Sequence, residues 1–273
     1  MRQAGAHPPR TAHQPNLGRF VRGPRRYPAC VNIQTRHILP PGQRLPTAPA
    51  PAMHERLEAG LIDLIEQPDF PCVGAKSALA QGGLAVEAAL SILAPADDLR
   101  IHDRIARWSR EPDGDEGTFR SLAVVFAGPR GLDEVGFEAA LWARLSALTA
   151  IDRARGFAPA PGYSDDPGDP SFALSFGGRA YFAVGLHPQA SRAARRAPAP
   201  TIVFNLHDQF TALREAERYE RMREVILARD AALDGEPNPM LARHGETSEA
   251  RQYSGRMVGE DWVCPFAAGR RGS

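Results

Sequence analysis

Two short apolar runs, SLAVVFAGP (121–129) and TIVFNL (201–206), constrain this chain most. Each is too short for a typical buried helix and is bounded by turn-forming or polar residues, the pattern of a buried strand. A third stretch, SFALSFGGRAYFAVGL (171–186), divides at Gly177-Gly178 into two β-rich halves, which signals a hairpin. Helical patterns surround these runs. HERLEAGLIDLIEQ (54–67) and GFEAALWARLSALTAID (136–152) carry apolar residues at helical spacing. DQFTALREAERYERMREVILARDAAL (208–233) reads as the longest helix, with Asp208 near its start and Gly235 after its end. AKSALAQGGLAVEAAL (75–90) reads as a helix interrupted by Gly82 and Gly83, while LRIHDRIARWSRE (99–111) fits neither period. YSDDPGDPS (163–171) is an acidic turn, and residues 238–266 are polar and loop-rich. Three or four strands with one hairpin and flanking helices predict a single α+β (mixed α/β) domain built on a small mixed sheet.

The charge is unevenly spread. Residues 1–50 hold eight Arg, nine Pro and no acidic residue, leaving 25 basic against 32 acidic groups in the remainder. Such a segment buries too little apolar surface to offset its chain entropy. Residues 1–52 are therefore expected to form a disordered basic arm, 53–268 the functional domain, and 269–273 a flexible tail. The arm is either a binding arm for RNA or membrane or, as favoured here, a dispensable extension. A formal net charge of +1 argues against a generally basic nucleic-acid binder. There is no apolar run long enough to span a bilayer and no secretory signal pattern, so neither nucleic acid nor membrane is expected as a partner. Three cysteines, Cys30, Cys72 and Cys264, lack CxxC spacing and suggest a reducing cytoplasm.

The stretch VGLHPQASRAARRAPAPTIVFNLHDQF (184–210) concentrates the chemistry. Ser191, Arg192, Arg195 and Arg196 follow closely on His187. Guanidinium forks receive carboxylate or phosphate in bidentate fashion. No GK[ST] or Gly-rich phosphate loop accompanies them, which favours carboxylates such as the paired propionates of a porphyrin; the bland alternative is a solvated basic loop. Of the eight histidines, His7, His13 and His37 fall in the arm, and His54, His102 and His244 sit among polar residues and are expected to face solvent. His187 and His207 each end an apolar run, where a side chain can reach the core as a ligand or as a hydrogen-bonded core residue. No HExxH spacing supports zinc. Cys72 and Cys264, in FPC and CPF, are thiolate ligands or nucleophiles on one reading and small buried hydrophobes on the other.

Six ordered blocks, FPCVGAKSAL (70–79), HPQASRAARR (187–196), FNLHDQF (204–210), YERMREVILARD (219–230), NPML (238–241) and EARQYSGR…WVCPF (249–266), resemble the YqcI/YcgG family over about residues 55–268. The resemblance implies a haem-dependent monooxygenase carrying haem b, with dioxygen or peroxide as co-substrate and an electron donor as partner. It would hydroxylate a guanidino nitrogen, L-arginine to Nω-hydroxy-L-arginine in antibiotic biosynthesis. A haem-binding sensor or carrier without turnover is the alternative. On this reading His207 is the preferred axial ligand, because it terminates TIVFNL, followed by His187 and then Cys72. Ser191, Arg192, Arg195, Arg196 and Arg251 would clamp the propionates, and Glu246, Glu249 or Asp230 would hold the substrate guanidinium. Relatives often carry His after CPF, where this chain has Ala267.

Overall fold

β2 (Ser121–Gly128) and β5 (Thr201–Leu206) pair antiparallel inside a five-stranded sheet, flanked by strands on both sides as suits continuous apolar runs. The other strands are β1 (Leu84–Ser91), β3 (Leu174–Phe176) and β4 (Arg179–Leu186), and the order is β1-β2-β5-β4-β3. β1 runs parallel to β2, and the remaining neighbours are antiparallel. This is a computed structural model, and it describes residues 50–111, 119–241 and 246–266. Most of the expected basic arm and the whole 269–273 tail lie outside the described residues, as do Cys30, His7, His13, His37 and His244.

Alternation along the central strands exposes two apolar faces. Leu122, Val124 and Phe126 join Ile202, Phe204 and Leu206 on one face, while Ala123, Val125 and Val203 point to the other. The first face is covered by α3 (Asp98–Trp108) and α4 (Glu134–Ala154), through residues such as Ile105, Trp108, Leu141 and Leu145. The second is covered by α1 (Pro51–Glu66), through Leu57, Leu61, Leu64 and Ile65. Of four further helices, α5 (His207–Glu215) and α7 (Ala250–Tyr253) pack on β4, α6 (Tyr219–Asp234) packs on α5 and the turn after β4, and α2 (Val73–Ala80) packs on α1 and β1 and reaches α6. The edge strand β1 is protected by side chains. Asp97 accepts from the Leu90 amide at 2.7 Å, and Arg100, which also pairs with Glu87, donates to the Ala88 carbonyl at 2.7 Å.

Three sequence expectations are corrected. Residues 75–90 are a helix followed by a strand. Gly82 takes φ +69°, and a Cβ on Gly83 would lie 2.1 Å from the Phe119 carbonyl oxygen, so the glycine pair turns the chain into β1. The alanines of LAVEAALS favour helix in isolation, but pairing with β2 overrides that propensity. Residues 208–233 form two helices, broken where Glu217 takes the left-handed φ of 54° and Arg218 N caps the Leu213 carbonyl; α4, with 21 residues, is longer than either. Residues 98–108 form a helix, and His102 on it is fully buried. Its Nδ1 meets Arg155 at 2.6 Å, and Arg only donates, so Nδ1 accepts and Nε2–H donates to Asp152 at 2.7 Å. Asp152 also accepts from the Gly177 amide, which ties the hairpin turn to α4.

Gly185 on β4 sits under α4. A Cβ there would meet Leu141 Cδ1 at 2.6 Å, Phe137 Cε1 at 2.8 Å and the Tyr253 carbonyl oxygen at 2.8 Å. Gly185→Ala is expected to destabilise the protein by about 1–3 kcal/mol through overpacking, measurable as a fall in the urea midpoint at unchanged m-value.

Candidate functional site

The second face of the sheet is not fully covered by α1. Under α5, α6 and α7 it opens into a cavity of about 280 Å³, just below the usual range for small-molecule sites. Its floor is the outward alternation of the strands: Phe182, Val184 and Leu186 from β4, Val203 and Asn205 from β5. Leu61 and Ile65 of α1, Phe70, and Met222 and Ile226 of α6 complete largely apolar walls. Polar groups interrupt this lining, among them Arg195, Cys72, Asp230 and the His207–Glu249 pair, with Arg214, Tyr219 and Arg223 from α5 and α6.

Arg195 ends the short 3₁₀ turn Ala193–Arg195 and is 9% exposed. Its guanidinium donates to the carbonyls of Gly185 (3.0 Å) and Gln252 (3.3 Å). It has no carboxylate within ion-pairing distance among the described residues. Burial pushes its pKa down to about 10, against the partial support of the nearby Asp230 charge.

The neighbouring arginines differ. Arg192 is buried and pairs with Asp230, and its Nε lies 3.2 Å from Asp234. Arg196 is exposed and donates to the carbonyls of Ala190 and Ser191, while the Ser191 hydroxyl donates to Glu134. Arg251 braces the turn at Val258 and Gly259 and lies over Trp262. Ser191, Arg192, Arg196 and Arg251 do not line the cavity, so of the five clamp candidates only Arg195 reaches it.

His207 is the first residue of α5, placed on the cavity wall by the end of β5, and is 2% exposed. Its Nε2 is 3.0 Å from Glu249 Oε1. An ionised carboxylate only accepts, so in the neutral ring Nε2 carries the proton and Nδ1 the lone pair. The Tyr253 hydroxyl also donates to Glu249 Oε1. Burial and the Glu249 charge raise the Tyr253 pKa well above the usual phenol value, keeping it protonated. His187, by contrast, belongs to the opposite face. Its ring stacks on Phe137 at 4.3 Å, burial lowers its pKa, and it does not line the cavity. Cys72 does line it, as the cap of α2 that accepts from the Ala75 amide at 3.4 Å. Burial raises its pKa, so it stands as a neutral thiol.

Among the expected guanidinium receivers, Glu246 is exposed and outside the cavity, while Asp230 and Glu249 line it. Asp230 Oδ2 takes Arg192 and the Asn238 amide, and Oδ1 makes no hydrogen bond among the described residues. Sequence reasoning missed Tyr253. Its spacing of four from Glu249 in EARQY was the available signal.

A haem asks the protein for one axial donor, receivers for its propionates and an apolar slot. The donor set fits that request, in a cavity smaller than the group: His207 would supply the imidazole, Arg195 the cation, and the strand floor the apolar surface. Gly185, whose carbonyl holds Arg195, pairs with Ile202, four residues before Leu206 on β5, so the backbone positions that anchor the cation and precede the imidazole are roughly 13 Å apart along the strand.

Over residues 61–267 the chain matches the YqcI/YcgG family, and it belongs to that family. No curated protein and no solved structure matches it. Among the described residues no helix is long and apolar enough to cross a membrane.

Asp230 is the sole fully buried residue of α6. Arg192→Ala, which strands this carboxylate, is expected to cost about 3–5 kcal/mol, and Arg192→Ala/Asp230→Asn to recover a large part of it, both read by chemical denaturation.

Proposed function

We propose that the cavity binds haem b and that the protein is a haem-dependent N-oxygenase of the reducing cytoplasm. It hydroxylates a guanidino nitrogen, with L-arginine the expected substrate and Nω-hydroxy-L-arginine the product. The observation that carries this reading is Arg195, a buried cation at a largely apolar cavity with no carboxylate in ion-pairing distance among the described residues and only the longer-range charge of Asp230 in support. A buried, uncompensated charge is costly, and a ligand carboxylate is the simplest compensation. A porphyrin presents such carboxylates on an otherwise apolar plate, and His207 adds the imidazole a haem iron takes.

When bound, the haem supplies the activation of dioxygen or peroxide. The chain's own residues supply the rest. Glu249 holds the His207 ring through its Nε2, and His207 would be the residue that holds the iron. Arg195 anchors the propionate edge. Asp230 receives the guanidinium through Oδ1, because Glu249 stands on the histidine's own side. The apolar walls exclude water. α6, with one buried residue out of sixteen, is the wall that yields to an occupant larger than the cavity as it stands.

The test is reconstitution of the purified chain with haem, followed by mass spectrometry of L-arginine incubated with reductant and dioxygen, or with peroxide. About one haem per chain and hydroxylated arginine are expected. His207→Ala should shift or abolish the haem absorption band. Arg195→Leu should weaken haem retention about 10- to 100-fold, the range for a lost charge-assisted contact, while Arg196→Ala leaves it unchanged. A chain that takes up no haem sinks the reading, and haem uptake without product makes it a sensor or carrier.

A further inference from the structure

We propose that Tyr253, Trp142 and Trp262 form a relay that carries single electrons between the cavity and the protein surface. The three rings are in sequential contact. Glu249 on the cavity wall accepts the Tyr253 hydroxyl, and the Tyr253 ring stacks on Trp142 with centroids 5.6 Å apart and planes 25° apart. Trp142 lies 6.4 Å from Trp262, which is only partly buried, and Arg251 sits 5.8 Å above the Trp262 ring. Tyrosine and tryptophan are the most readily oxidised aromatic side chains, and these separations are those of touching rings. The phenylalanines packed around them, Phe172 and Phe266, cannot be oxidised in this range and insulate the path.

The polar atoms of the path suit transfer more than packing. Trp142 is 1% exposed, and its indole N–H has no acceptor among the described residues. A buried, unbonded donor is a net cost to stability. Its loss of an electron leaves a cation radical with no base to take its proton, so the hole passes on reversibly. Tyr253, in contrast, has a proton acceptor in place.

The relay rests on the reading of the cavity as an oxidation site, and its steps balance. A peroxide-class oxidant in the cavity, whose O–O bond breaks and whose oxygens leave at the water level after two electrons and two solvent protons reach it, takes each electron from Tyr253, whose hydroxyl proton moves to Glu249. Trp142 returns an electron to Tyr253, and the proton returns with it. Trp262 refills Trp142, and a one-electron donor of the ascorbate class refills Trp262 from solution. One electron travels inward per cycle, and no proton remains on the relay.

The path is tested from its outer end, on the full haem-free chain. A soluble ruthenium polypyridyl photo-oxidant with a sacrificial acceptor oxidises the surface, and radicals are trapped by freezing and read by electron paramagnetic resonance. A tyrosyl signal is expected in the natural chain and its loss in Tyr253→Phe, Trp142→Phe and Trp262→Phe. Thermal melts verify folding; should Trp142→Phe not fold, the exposed-side Trp262→Phe decides. Absence of the signal in the natural chain, or its survival in Trp262→Phe, overturns the relay and leaves the rings as core packing. Because no haem is used, failure of haem uptake would sink the functional reading without touching this result.

Discussion

The pairing of Arg192 with Asp230 and Asp234 is the contact on which the cavity depends. α6 contributes a wall of the cavity yet buries little of itself, so apolar packing does not hold it in place. Ion pairs to the 3₁₀ turn after β4 do so instead, with the Asn238 amide completing the coordination of Asp230. Arg195 is the third residue after Arg192 in the same turn and points the other way. One arginine thus spends its charge on the roof, and the other keeps its charge for the space beneath it. A turn that carries two cations within four residues, only one of them neutralised by the protein, explains why a basic cluster stands beside an apolar strand.

The strands were legible in the sequence because their signals are local. SLAVVFAG and TIVFNL needed only length and apolar continuity, and the hairpin needed only Gly177-Gly178. The second half of 75–90 was not legible, because LAVEAALS is a strand by virtue of its partner β2, 37 residues further along the register. The break at Glu217 was hidden for a related reason: a left-handed turn at a non-glycine residue leaves no compositional mark. His102 looked exposed among Arg and Asp neighbours, and those neighbours are its partners: α3 turns Ile101, Ile105 and Trp108 inward, and Asp152 and Arg155 arrive from α4.

The site divides in the same way. His207 could be singled out because it ends a strand pattern, and the structure does place it on the cavity wall. His187 ends a pattern too, yet β4 alternates so that Phe182, Val184 and Leu186 face the cavity, while the turn that follows sends His187 towards Phe137. Nothing in SRAARR distinguishes Arg192 from Arg195 or Arg196; their roles are set by Asp230, by the carbonyls of Gly185 and Gln252, and by solvent. Tyr253 and Trp262 belong to a polar, loop-rich stretch whose importance comes from what it packs against. Sequence reasoning finds residue types near strand ends well, and assigns charges to partners poorly, because partners are chosen by the fold.

The uncompensated guanidinium of Arg195 has a consequence for the life of the chain in the cell. A protein that stores a desolvated charge gains stability from whatever neutralises it, in proportion to the logarithm of that ligand's concentration. Under the proposed function, empty molecules would open more often and present more backbone to proteases than filled ones. Steady-state abundance would then follow supply of the anionic ligand without any transcriptional control, so that the cell keeps the protein it can fill and clears the rest.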